Sequence, residues 1–321
     1  TKFNETYLLK GDKDTVKKYV NAKDAGLDGT LSEGATKATF TMNTLKVGDT
    51  VQIAGKTYTI GEYNADASAT DTQAGKYAHI KASLEVAKAG EQITLDGVQY
   101  TVVDTDAEEN TDKNFLTKEK ITAKVGEGSH AIYKGVDYYA MQDRVKADGT
   151  AQVNGIDDNN ANVITAHKAY DMIQQELLLA NNIGTDIKAA EVKDANIKTA
   201  SSAGVVGAAV ANFGDLTTAA NQAAINDLAY AANGASSKLT YVIDKGQVNV
   251  KEDLNFSLHV GADADMTNKI GVGIKALDTA GLGIKGLNVK DTTGAAATYA
   301  IDSIADAIST VSSQRSLLGA V

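Results

Sequence analysis

Cysteine, proline and tryptophan are absent from the 321 residues. Without cysteine there is no disulfide framework, no thiolate zinc site and no cysteine nucleophile. Without proline no slow X–Pro isomerisation enters folding, which suits a chain delivered unfolded and required to fold quickly. Aromatic residues are few, at 6%, so the stacking platforms on which sugars usually sit are scarce. Positive charge is in deficit as well. Thirty-one Lys and Arg against 41 Asp and Glu leave a net charge of −10, and with no basic run the chain is not expected to bind nucleic acid. Nor is there an apolar run of about 18 residues, so no membrane-spanning helix is expected. The opening "TKFNETYLLKGDKD" lacks the charged-then-apolar order of a signal peptide and has no initiator Met. The closing "SSQRSLLGAV" (Ser312–Val321) is helical in pattern but has no cap or stop. Both ends read as internal to a longer gene product.

What is present suits a folded, multi-domain protein. Hydrophobic residues make up 43% and charged residues 22%, and the length predicts two or three cores rather than one. The clearest internal signal is a repeat. In "VGDTVQIAGKTYTI" (Val47–Ile60) and "AGEQITLDGVQYTV" (Ala89–Val102), Gly48, Val51, Gly55 and Tyr58 align with Gly90, Ile93, Gly97 and Tyr100. A weaker copy, "AIYKGVDYYAM" (Ala131–Met141), keeps Gly135 and Tyr138. Each predicts a β-hairpin about a two-residue turn, Ala54-Gly55, Asp96-Gly97 or Lys134-Gly135. Such turns need positive φ, which Gly and Asp supply readily. The simplest reading of the tyrosines is cross-strand packing on one small sheet or a pair of sheets.

From Val163 the period changes. Val163, Ala166, Tyr170, Ile173, Leu177 and Ala180 mark one face of an amphipathic helix ending near Gly184. Ala-rich stretches at Thr185–Ala203 and Leu216–Asn233 predict further helix, and "LTYVIDKGQVNV" (Leu239–Val250) predicts a hairpin about Lys245-Gly246. "LNFSLHVGADADMTNKIGVGI" (Leu254–Ile274) alternates as two strands about a polar loop. In the last helix Ala297, Ile301, Ile304, Ile308, Val311, Arg315 and Leu318 form a heptad seam breached once by Arg315. Asp302, Asp306, Ser309, Ser313 and Gln314 are assigned to the opposite face. A seam this regular calls for a long helical partner, and the sequence before it offers none.

These last residues resemble the C-terminal core of bacterial flagellins, where a strand and loop precede a glycine-rich turn and a long helix ending Arg-x-x-Leu-Gly-Ala-Val. Arg315, Leu318, Gly319, Ala320 and Val321 match that pattern, with Ser316 and Leu317 at its variable positions. "TKFNETYLLKGD" is similar to the family's short N-terminal core hairpin "FNG-x-x-LL-x-G" through Phe3, Asn4, Leu8, Leu9 and Gly11, with Glu5 in place of the turn Gly. The resemblance covers residues 1–12 and 254–321. It implies an α+β multi-domain chain in which a β-hairpin repeat domain (13–150) and a mainly helical segment with a terminal hairpin (151–253) form a surface-exposed variable insert. It also implies an extracellular structural subunit of the flagellar filament, secreted and antigenic, whose partners are other flagellin subunits. Ile301, Ile304, Ile308, Val311, Arg315 and Leu318 would pack on core helices absent here. Contact with the Toll-like receptor would be weak for the same reason, because recognition depends mainly on the N-terminal core helices.

No catalytic residue, cofactor or metal is expected. His79, His130, His167 and His259 form no His-Glu-x-x-His pair. "DTDAEENTDKNF" (Asp104–Phe115) has Glu109 where a calcium loop needs Gly and Phe115 where it needs Glu. Neither a phosphate loop nor a nucleophile elbow appears. The alternative to a filament subunit is an extracellular binding or adhesion module using the tandem hairpins.

Overall fold

The structure, a computed structural model, describes residues 2–3, 6–7, 14–63, 77–142, 154–198, 238–260, 269–287, 289 and 294–319. Helices and several small sheets are mixed along the chain, an α+β architecture. It divides into two compact units, one of Thr41–Gln174 with Asp194–Thr240, the other of Thr1–Phe40, Gln175–Lys193 and Tyr241–Val321.

The first of these units contains three hairpins. Thr50–Ile53 pairs with Lys56–Ile60, Gln92–Leu95 with Val98–Val103, and His130–Tyr133 with Val136–Tyr139. Both residues of each turn are left-handed: Ala54 and Gly55 at φ 52° and 74°, Asp96 and Gly97 at 51° and 80°, Lys134 and Gly135 at 52° and 78°. This is the I′ geometry whose twist matches the strands it joins.

The same local bonds precede every hairpin. Gly48, Gly90 and Gly128 donate their N–H to the carbonyls of Ile60, Val102 and Ala140. The next side chain caps the turn before it. Asp49 accepts from Lys46 N–H at 2.7 Å, Glu91 from Lys88 N–H at 3.0 Å and Ser129 from Gly126 N–H at 3.1 Å. The third hairpin thus carries the pattern upstream of Ala131, where the sequence match began.

The second and third hairpins join through their first strands into a five-stranded sheet. Its order is Phe115–Thr117, Val98–Val103, Gln92–Leu95, His130–Tyr133, Val136–Tyr139. The first hairpin lies in a three-stranded sheet with Val163–Ile164, which runs parallel to Lys56–Ile60. The helix Ala78–Glu85 buries Ile80 and Leu84, four residues apart on one face, and packs on the helix Lys118–Thr122.

The helix Ala166–Asn182 follows its predicted stripe from Ala166 on, with Ala166, Tyr170, Ile173, Leu177 and Ala180 fully buried, whereas Val163, placed on the same stripe by the sequence, is buried in the strand Val163–Ile164 instead. It stops where Gly184 turns left-handed at φ 88°. His167, in the first turn of this helix, is buried too.

In the other unit Leu254–His259 pairs antiparallel with Lys269–Ile274, as the alternation predicted. Lys2–Phe3 pairs with Thr6–Tyr7, placing Phe3 in a short hairpin, whereas Leu8 and Leu9 lie outside the described residues. Two expectations are corrected. Lys238–Asp244 and Gln247–Lys251 do not pair with each other. The first joins a four-stranded sheet, and the second pairs with Thr15–Tyr19. Gly246 is not left-handed; it is a close-packing glycine, since a Cβ there would stand 2.3 Å from Thr185 Cγ2 and 3.0 Å from both Ala190 N and Lys188 O. In the Ala-rich stretch after Thr185, Glu191–Lys198 is a strand at the edge of the four-stranded sheet. It pairs with Lys238–Asp244, a strand distant in sequence, a tertiary contact that local propensity does not foresee. Leu216–Asn233 lies outside the described residues.

Candidate assembly surface

The last helix, Ala295–Gly319, presents two adjoining faces. One is buried and is made of small and polar residues, Ala296, Tyr299, Ala300, Ser303, Ala307 and Gln314. Small side chains let the backbone approach closely, and the polar ones find partners there. Tyr299 donates its hydroxyl to Glu176 Oε2 at 2.6 Å, with both side chains buried. Gln314 donates its amide to the Gly273 carbonyl at 2.9 Å and accepts from Lys275 N–H at 3.4 Å, which anchors the helix to the strand Lys269–Ile274. Gln314, polar and placed by the sequence opposite the seam, is therefore buried. A buried amide is stable only when bonded, and strand backbone supplies those bonds.

The other face is the predicted heptad seam. Ile301, Ile304, Ile308 and Leu318 are 66%, 44%, 61% and 37% exposed, Val311 is half-buried, and Arg315 is exposed. Large aliphatic side chains at heptad spacing, left in water along one helix, make a contiguous apolar strip rather than scattered surface residues. The seam residues are thus brought onto one line, and nothing among the described residues covers them.

Beside the buried face lies a cavity of about 250 Å³ whose walls include Lys23, Leu31, Tyr299, Asp302 and Asp306. Lys23 donates its ammonium to Ser303 Oγ, and its backbone is clamped by Asn181, which accepts from Lys23 N–H and donates to the Lys23 carbonyl, both at 2.9 Å. Burial pushes the Lys23 pKa below the usual lysine value, against an opposing pull from Asp306 and Asp302. These bonds tie the loop containing Lys23 to two helices. They assemble no nucleophile–base pair of the kind covalent catalysis requires.

Nor do the other candidates converge. Among the described residues no group of three or more His, Asp or Glu is placed to hold a metal ion. In the acidic loop Asp104–Phe115, Glu109 accepts from Thr117 N–H at 3.1 Å and Thr117 Oγ1 at 2.9 Å and pairs with Lys120. Its carboxylate supports the start of the helix Lys118–Thr122. No described helix is long and apolar enough to cross a membrane. Comparison with protein-family models, with curated proteins and with solved structures found no match.

Proposed function

We propose that this chain is part of a flagellin-type structural subunit of an extracellular bacterial filament, without enzymatic activity, and that the heptad strip of its last helix is an assembly surface. The observation carrying this reading is that strip: Ile301, Ile304, Ile308 and Leu318 stay in water while the adjoining face of the same helix is buried. The flagellin resemblance gives the strip its occupant, the other helices of the filament core. The hairpin at Lys2–Tyr7 and the strand pair Leu254–Ile274 ahead of the helix fit the same reading. The three hairpins with their shared glycine and capping bonds are then copies of one duplicated unit within the variable region, which projects from the filament as an exposed, antigenic surface.

A thiol reporter tests the strip. The sequence has no cysteine, so Ile304→Cys carries the sole reactive group. It should react with a maleimide at the rate of an exposed thiol in the unassembled protein. On assembly of the protein in its full encoded length, the rate should fall at least about tenfold, the factor that corresponds to about 1.4 kcal/mol of protection. Equal rates before and after assembly would remove the strip from the interface.

A further inference from the structure

We propose that the strand Thr50–Ile53 is a self-association edge, pairing antiparallel with the same strand of a second copy of this chain about a two-fold axis at Gln52. The strands Gln92–Leu95 and His130–Tyr133 occupy the same place in their hairpins, each two residues after the left-handed Gly90 or Gly128 and directly before the I′ turn. They pair with each other in the register Ile93↔Tyr133, Thr94↔Ile132, Leu95↔Ala131. Counted from the turn glycines Gly97 and Gly135, Thr94 and Ile132 are equivalent residues, as are Ile93 and Ala131, and Leu95 and Tyr133. The pairing therefore has the symmetry of an isologous contact, with Thr94 and Ile132 on its axis.

The first hairpin has the same strand at the same place, two residues after Gly48 and before the turn at Ala54-Gly55. Among the described residues it pairs only with its own Lys56–Ile60 and forms the edge of its sheet. Ile53↔Lys56 flanks a two-residue turn, so Ile53 and Val51 direct their backbone groups into the hairpin. Those of Thr50 and Gln52 point outward along the edge, because bonded and non-bonded pairs alternate.

Edges that stay single are usually blunted by charge, proline or a bulge. The strand Thr15–Tyr19 carries Lys17 and Lys18, and Val136–Tyr139 carries Asp137. Thr50–Ile53 reads TVQI, with no charge. The edge by which the other two hairpins join is thus left bare on the first, and the partner that fits it is another copy. In the resulting pair Gln52 faces Gln52, Val51 faces Ile53, and the two sheets run on as one.

Sedimentation of the full chain, with two variants, tests this. Wild type should be a reversible dimer. Gln52→Lys sets two ammonium groups opposite each other on the axis and should weaken the dimer about tenfold with the far-UV spectrum unchanged, since the Gln52 side chain is exposed. Gln52→Cys, the only thiol in the chain, should yield a covalent dimer under mild oxidation. A wild type that remains monomeric to millimolar concentration overturns the proposal. So does a dimer indifferent to Gln52→Lys, or one in which Cys at 52 does not cross-link.

Discussion

Gly246 separates a turn glycine from a packing glycine. As the second residue of a Lys-Gly hairpin turn it would tolerate Asn, which enters the left-handed region more easily than other side chains. As the structure has it, any Cβ collides with Thr185 Cγ2 at 2.3 Å and with Lys188 O and Ala190 N at 3.0 Å. None of the three can retreat freely. The Lys188 carbonyl accepts from Gln247 N–H at 2.8 Å, Ala190 N–H donates to Asn182 Oδ1 at 2.9 Å, and Thr185 Oγ1 donates to the Asn182 carbonyl at 2.8 Å. Overpacking costs about 1–3 kcal/mol, and straining one of these bonds adds about 1 kcal/mol. The reduced entropy of the unfolded chain returns about 0.4–1 kcal/mol. Gly246→Ala should therefore destabilise by about 1–3.5 kcal/mol, which at an ordinary urea dependence lowers the midpoint by about 1 M. Gly246→Asn should be at least as harmful. Gly55→Asn is the control: φ is 74° and nothing lies within 4 Å of the added Cβ, so it should stay within about 0.5 kcal/mol of wild type. Urea titration followed by circular dichroism measures all three. A Gly246→Ala midpoint within about 0.2 M of wild type, or Gly246→Asn tolerated as well as Gly55→Asn, would refute the packing argument.

Two further outcomes follow from the bonds around the last helix and the second hairpin. Tyr299→Phe removes the hydroxyl that Glu176 accepts from in a buried site and should cost about 1.5–3 kcal/mol, read from the same titration; a loss under about 0.5 kcal/mol would mean that water replaces the bond. The Glu91 carboxyl is held down from 4.5 to about 2, first by the Tyr133 hydroxyl, then by Lys88 N–H and by Lys134. A depressed carboxyl stabilises the fold above its unfolded pKa and loses that contribution as pH falls through its folded one. Thermal stability should therefore drop between about pH 5 and pH 2, and Glu91→Gln should flatten that drop; an unchanged acid limb would contradict the assignment.

How much of this was legible in the sequence depended on whether the signal was local. Ala54-Gly55, Asp96-Gly97 and Lys134-Gly135 mark their turns within two residues, because the glycine of each enters the left-handed region freely and the flanking alternation fixes its place, while Ala54 and Lys134 are carried there by the turn. The helix Ala166–Asn182 was legible because its burial repeats at 3.6 residues. Glu191–Lys198 was not, since its partner Lys238–Asp244 lies far along the chain. The upstream part of the third hairpin was hidden by chemistry: Ser129 makes the bond that Asp49 and Glu91 make, with a hydroxyl in place of a carboxylate. Along the last helix the exposed seam was readable, and the buried face was not. Gln314 looks solvent-facing until the Gly273 carbonyl that bonds it, distant in sequence, is in place.

The most direct measurement is electron microscopy of the protein in its full encoded length after salt-induced assembly, wild type beside a variant with Ile301, Ile304 and Ile308 all changed to Ser. The account predicts long helical filaments from wild type, and none from a variant that remains folded because those side chains lie 44–66% exposed. A folded wild type that forms no filaments, or a variant that assembles as readily as wild type, would contradict it.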